Sequence, residues 1–187
     1  MAERGLSLDH STIWRWVQRY APILNQRIRR ELRRRNGSWR VDETYIRVAG
    51  TWTYLYRAVD SEGNTIDFML SPYRDLTAAK HFLQLALWQT GQVRPRAISD
   101  LRDSSELSSR CRWRPSPYLN NILEQDHRFI KKRIAASLWF RSVDGALNTI
   151  AGYESMNMIR KGQVRWLAKG DIVGQMSFIQ RLFGIAA

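Results

Sequence analysis

The stretch from Trp39 to Leu70 constrains the fold more than any other. In its middle portion Trp52, Tyr54, Tyr56 and Ala58 alternate with Thr53, Leu55, Arg57 and Val59. A period of two puts the two sets on opposite faces of an extended strand. Ala49-Gly50 and Ser61-Glu62-Gly63-Asn64 interrupt the pattern with turn-forming residues, so the stretch is predicted as three antiparallel strands in a meander. Asp75 then stands where it can cap a helix in which Leu76, Ala79, Leu83 and Leu87 recur at helical spacing before Gly91. After Pro95, Arg96-Ala97-Ile98-Ser99 reads as a short strand closing on Asp100. The order strand, strand, strand, helix, strand makes an α/β (α+β) domain. Leu101 to Pro117 sustains neither period and is assigned no element.

Helices flank this domain. Residues 1–36 read as helical, with Gly5 punctuating the start and Asp9 or Ser11 placed to cap a helix running through Trp14, Trp16, Val17 and Tyr20. Met1 to Gly5 has the character of a last helical turn, so the segment matches the rear of a helix-turn-helix, and His10, Ser11, Thr12 and Arg15 are candidates to face DNA. An amphipathic helix packing its Trp and Val locally fits the same spacing. Toward the C-terminus, Ile122, Leu123, Phe129, Ile130 and Ile134 trace one apolar stripe. Two further helices are expected at about 142–160 and 171–183, the last with Ile172, Met176, Ile179 and Phe183 on one side. A boundary near Ser38 separates 1–38, a partial helix-turn-helix with an arginine-rich linker, from 39–187.

Charge narrows the function. There are 30 Lys+Arg against 17 Asp+Glu, a formal charge of +13, and Arg27, Arg29, Arg30, Arg33, Arg34, Arg35 and Arg40 fall close together. A basic solvated surface would not need such clustering, whereas a phosphate backbone favours it, and the guanidinium fork fits phosphate bidentately. Arg27, Arg30, Arg33, Arg34 and Arg35 are therefore candidate DNA contacts. No apolar run approaches the roughly 20 residues of a membrane span, and no secretory signal opens the chain, so a cytoplasmic protein without a membrane partner is expected. Cys111 is the single cysteine, which excludes intrachain disulfides and multi-cysteine zinc sites.

A basic protein with acids at element ends raises the possibility of metal-assisted phosphodiester chemistry. Asp42 lies within the first strand, on the face opposite Val41. Asp100 emerges just after a short strand, and Glu124 belongs to a helix. Oxygen-only donors with open positions suit Mg²⁺ or Mn²⁺. On that helix Glu124, Arg128 and Lys131 share a face at i, i+4 and i+7, with His127 nearby; a run of ordinary i, i+4 ion pairs explains the same spacing. Asp103 is a substitute for Asp100 to watch.

Taken together, these residues resemble the Asp-Asp-Glu transposases of bacterial insertion sequences, in the group named after insertion sequence six. The resemblance rests on Asp9-His-Ser-Thr-Ile-Trp-Arg-Trp-Val-Gln-Arg-Tyr20, Val41-Asp-Glu-Thr-Tyr45, Tyr54-Leu-Tyr-Arg-Ala-Val-Asp60, Tyr118-Leu-Asn-Asn-Ile-Leu-Glu-Gln-Asp-His127 and Met156-Asn-Met-Ile-Arg-Lys-Gly-Gln163. It implies an RNase H-like catalytic domain of integrase type in which Asp42, Asp100 and Glu124 are the catalytic, metal-binding triad. Two Mg²⁺ (or Mn²⁺) ions would activate water and then the freed 3′-hydroxyl for in-line attack at phosphorus. It further implies binding to double-stranded DNA at inverted-repeat ends and at a target, a homodimer when active, association with the nucleoid, and Lys131 gripping the element's end. The chain departs from the family in two places. It begins inside the helix-turn-helix, so the first DNA-reading helix is expected to be missing. Only 23 residues separate Asp100 from Glu124, fewer than the family spacing, and Leu101 to Trp113 do not match. An impaired transposase is therefore expected, with a catalytically inactive DNA-binding remnant or an RNase H-type nuclease as alternatives.

Overall fold

A computed structural model describes residues 8–90, 128, 130–134 and 140–185. The chain forms two compact units, one from Met1–Arg33 with Arg141–Ala187 and the other from Arg34–Phe140. The C-terminal helices thus group with the N-terminal one.

Within 34–140, β1 (Trp39–Val48), β2 (Thr51–Asp60) and β3 (Thr65–Ser71) form an antiparallel sheet in the order β1-β2-β3. Ala49 and Gly50 link β1 to β2 with φ of 49° and 80°. Two positive φ values in a two-residue connection are those of a type I′ hairpin, whose twist matches that of the strands. At the second turn the Asp60 carboxylate accepts from the amides of Glu62 and Asn64, each at 2.9 Å. Helix α2 (Leu76–Thr90) starts where Asp75 accepts from the Ala78 amide at 2.7 Å. Its inward side is centred on Phe82 and Ala86, which pack on Tyr56, Ala58 and Ile66; of the expected stripe Leu87 is buried and Ala79 packs against this cluster, while Leu76 is exposed. The opposite set on β2, Leu55, Arg57 and Val59, is also fully buried, so both faces of the middle strand are covered. Arg128 and residues 130–134 are helical, and Ile130 and Ile134 are buried as their stripe predicts. The expected strand at 96–99 and the unassigned 101–117 lie outside the described residues.

In the other unit, α1 (His10–Arg29) is capped by Asp9. Helix was expected to residue 36, but it ends at Arg29 because the chain finds another backbone partner. Leu32 bridges Val164, the Arg33 amide donates to the Gln163 carbonyl at 2.8 Å and the Arg165 amide to that of Glu31 at 2.8 Å. Helix α3 (Val143–Arg160) is capped by Ser142, and α4 (Ile172–Phe183) runs from its cap Asp171 to Gly184 at φ 68°. Leu24, Ile28, Met158, Ile159, Val164, Leu167 and Phe178 form the core. On α4 the buried residue is Phe178; of the predicted stripe Ile179 and Phe183 pack against the core, while Ile172 and Met176 are exposed.

Candidate active site and nucleic-acid interface

Asp42 and Glu43 are sequence neighbours with separate surroundings. Alternation along β1 sends them to opposite faces of the sheet. Glu43 accepts from Arg74 Nε at 2.7 Å and forms an ion pair with the same guanidinium; that carboxylate holds the Arg74 pKa above its ordinary value. Beside them, burial, followed by the negative charge of Glu43 and Asp75, pushes the Tyr56 phenol up. Asp42 is half-buried on the other face and accepts from the Glu43 amide at 2.9 Å. Across the ladder its register partner is Arg57, which is fully buried. Composition did not single out Arg57; its place at an even spacing from Leu55 and Val59 on an apolar face was the available signal.

A carboxylate held half-buried at a central position of β1 has the donor chemistry that Mg²⁺ or Mn²⁺ takes. Asp42 is the one member of the expected triad among the described residues. Asp100 and Glu124, with Asp103 and His127, lie outside them, and no cluster of three or more His, Cys, Asp or Glu occurs among the described residues. Downstream of Glu124, Arg128 is exposed, and Lys131 places its Nζ 5.2 Å above the Tyr45 ring. Tyr45 in turn meets Trp52 edge-on at 5.1 Å. Exposed aromatic and cationic groups thus converge at the hairpin end of β1 and β2, a grouping not anticipated from the sequence.

The candidate DNA-facing residues of α1 sit in its first turns. Asp9 accepts from the Ser11 amide at 3.2 Å and the Ser11 hydroxyl at 2.9 Å, which hold its carboxyl below the usual range. His10 pairs with Asp9 at 2.7 Å and is almost fully exposed. Arg15 folds back onto the Ser11 carbonyl and the Thr12 hydroxyl. Farther along, the arginines divide. Arg27 donates to the Leu182 carbonyl and lies 5.3 Å over the Phe183 ring. Arg33 donates to the carbonyls of Val164 at 3.2 Å and Leu167 at 3.0 Å. Arg30 and Arg34 are exposed, and Arg35 is half-buried.

The family described as the DDE domain matches residues 36–163. A transposase for insertion sequence-like element IS431mec of Staphylococcus aureus (strain Mu50) is 38% identical over 177 residues, covering 89% of this chain and 77% of that protein. The transposase for insertion sequence element IS257 in transposon Tn4003, also from Staphylococcus aureus, is 38% identical over 174 residues, covering 88% and 76%. Uncharacterized protein pYV0051 of Yersinia pseudotuberculosis is 48% identical over 52 residues, 28% of this chain and 49% of its own. No solved structure gives a significant match. Among the described residues no helix is long and apolar enough to cross a membrane. The extent of the domain match and the near full-length identity carry the same conclusion: the chain belongs to the Asp-Asp-Glu transposases of bacterial insertion sequences, in the group named after insertion sequence six.

Proposed function

We propose that the chain binds the ends of an insertion sequence and transfers their DNA strands, with Asp42, Asp100 and Glu124 as its catalytic carboxylates. The similarity to two transposases over nearly the whole chain carries this reading. Asp42 supports it from the structure: β1 holds a half-buried carboxylate on the face away from the Glu43–Arg74 ion pair. Divalent metal ions bound at such a triad stabilise charge on the attacking and leaving oxygens. The residues around it would position the DNA. Lys131 and Arg128 would hold phosphates beside the reacting bond, and His10, Ser11, Thr12 and Arg15 would meet the duplex at the start of α1. Arg30, Arg34 and Arg35 would supply sequence-independent attraction, to which Arg27 and Arg33, engaged with backbone carbonyls, would add. Two copies of the chain would bring two ends together, and the reaction would take place in the cytoplasm, on the nucleoid.

The test is Mg²⁺-dependent processing of labelled DNA that ends in the element's inverted repeats. Release of a 3′-hydroxyl and joined products are expected. Binding without cleavage selects a DNA-binding remnant. Cleavage of RNA in a hybrid, without preference for inverted repeats, selects an RNase H-type nuclease. We further propose that this copy is impaired by its short path between Asp100 and Glu124, since small displacements of a catalytic group cost large factors in rate. A version carrying a full-length family segment in place of 101–113 would then transfer strands faster; equal rates would refute the impairment.

A further inference from the structure

Trp166 has the highest exposure of any large apolar side chain among the described residues, at 92%. Its backbone is also unusual: φ is 64°, in the left-handed region, where side chains other than those of Gly, Asn and Asp are uncommon. The turn explains the geometry. Leu167 donates its amide to the Val164 carbonyl at 3.4 Å, so Trp166 is the third residue of a four-residue turn, a position at which positive φ ordinarily selects Gly. Val164 and Leu167 point into the core, and the side chain between them is held outward.

The turn is fastened tightly for a surface loop. The Arg33 guanidinium donates to the carbonyls of both Val164 and Leu167, and Arg165 Nη2 donates to the Arg30 carbonyl at 2.9 Å and to Glu31 Oε2 at 3.1 Å. At the neck, Gly162 with φ 71° lies so close that a Cβ would stand 2.8 Å from the Lys169 amide nitrogen. A strained conformation persists only where the surroundings over-determine it, and such positions cluster at functional sites. Arg160 to Lys169 carries four cations and no acid, and the clamp ties this turn to the arginine run. An indole left 92% exposed on a rigid and basic support has the properties of a nucleobase-stacking platform; an apolar protein partner would not call for the surrounding cations.

We propose that Trp166 is a DNA contact that stacks on an unpaired or unstacked base while neighbouring cations hold the adjoining phosphates. This rests on the DNA-transposase reading above and adds to it a residue that reads neither sequence edge nor phosphate. The experiment measures affinity, by fluorescence anisotropy at fixed salt, of the full chain for two DNA probes: a fully paired duplex and the same duplex with one unpaired 2-aminopurine. Trp166→Ala should lose about tenfold or more on the unpaired probe, and less than about twofold on the duplex. Quenching of 2-aminopurine by the parent protein should vanish in Trp166→Ala and persist in part in Trp166→Phe. Trp166→Gly guards against misfolding, because Gly suits the positive φ; its melting temperature should not fall, and its binding should match that of Trp166→Ala. Equal affinities of parent and variants, or an equal loss on both probes, would overturn the stacking role alone. A parent protein with no affinity for either probe at low salt would bring down the DNA-transposase reading with it.

Discussion

Asp42 on β1 and Arg57 on β2 face each other directly across the antiparallel ladder. Opposite charges at such positions attract, and burial strengthens the dependence of each on its surroundings. Arg57 is fully buried, so it belongs to the sheet's interior and not to a DNA-facing surface. Arg57→Leu should destabilise the protein by about 1–3 kcal/mol, because it removes a buried guanidinium and with it the charge facing a half-buried carboxylate. Arg57→Lys should recover part of that loss. Urea unfolding midpoints measure both, and a stable Arg57→Leu would show that Asp42 does not depend on its cross-strand neighbour.

The two adjacent acids of β1 should respond differently to neutralisation. Asp42→Asn is expected to bring strand cleavage below about 1% of the parent rate while leaving salt-dependent DNA binding in place. Glu43→Gln removes the charge that Arg74 engages on the α2-covered face and should cleave at close to the parent rate. A time course of 3′-end release with each variant decides, and loss of activity in Glu43→Gln alone would reverse the assignment.

The meander was legible because its signals are local. Period-two alternation and Ala49-Gly50 fix the β1–β2 hairpin from ten or so neighbouring residues, and Asp9 and Asp75 mark helix starts by cap chemistry alone. The end of α1 was not legible, since Leu32 and Arg33 leave the helix to pair with residues 163–165, more than a hundred positions away. The packing of α1 on α3 was hidden for a related reason. Its seam is partly polar, with Gln18 donating to Thr149 at 3.0 Å and Asn148 donating to Gln18 at 3.2 Å, so apolar periodicity could not reveal it. For the site, a lone Asp42 looks like any other carboxylate: its strand position made it a candidate, and the resemblance of its surrounding motif implied its role.

That α1–α3 seam makes its own prediction. A Cβ on Gly152 would lie 2.9 Å from the Ala21 Cβ, and neither atom can move without its helix. Gly152→Val should therefore push the helices apart and destabilise by about 1–3 kcal/mol. Thermal melts of Gly152→Ala and Gly152→Val should fall in that order below the parent. An unchanged melting temperature in both would mean that α1 and α3 do not pack at this point.

The arginine run contains two kinds of residue that composition cannot tell apart, and Arg33 and Arg34 separate them. Arg33 satisfies the carbonyls of Val164 and Leu167, both core residues, so Arg33→Ala should leave those acceptors to water and cost about 1–3 kcal/mol. Arg34 is exposed, so Arg34→Ala should leave stability unchanged. In DNA binding the order inverts. Losing a phosphate contact at Arg34 should make the dependence of log K on log salt shallower by about 0.9. Arg33→Ala should weaken binding chiefly through the loosened turn, with a smaller change in slope. Urea titrations and salt-titrated binding on the same two variants measure both properties. A shallower slope for Arg33→Ala than for Arg34→Ala would assign the phosphate contact to the residue that the fold uses as a clamp, and the division of the run would have to be abandoned.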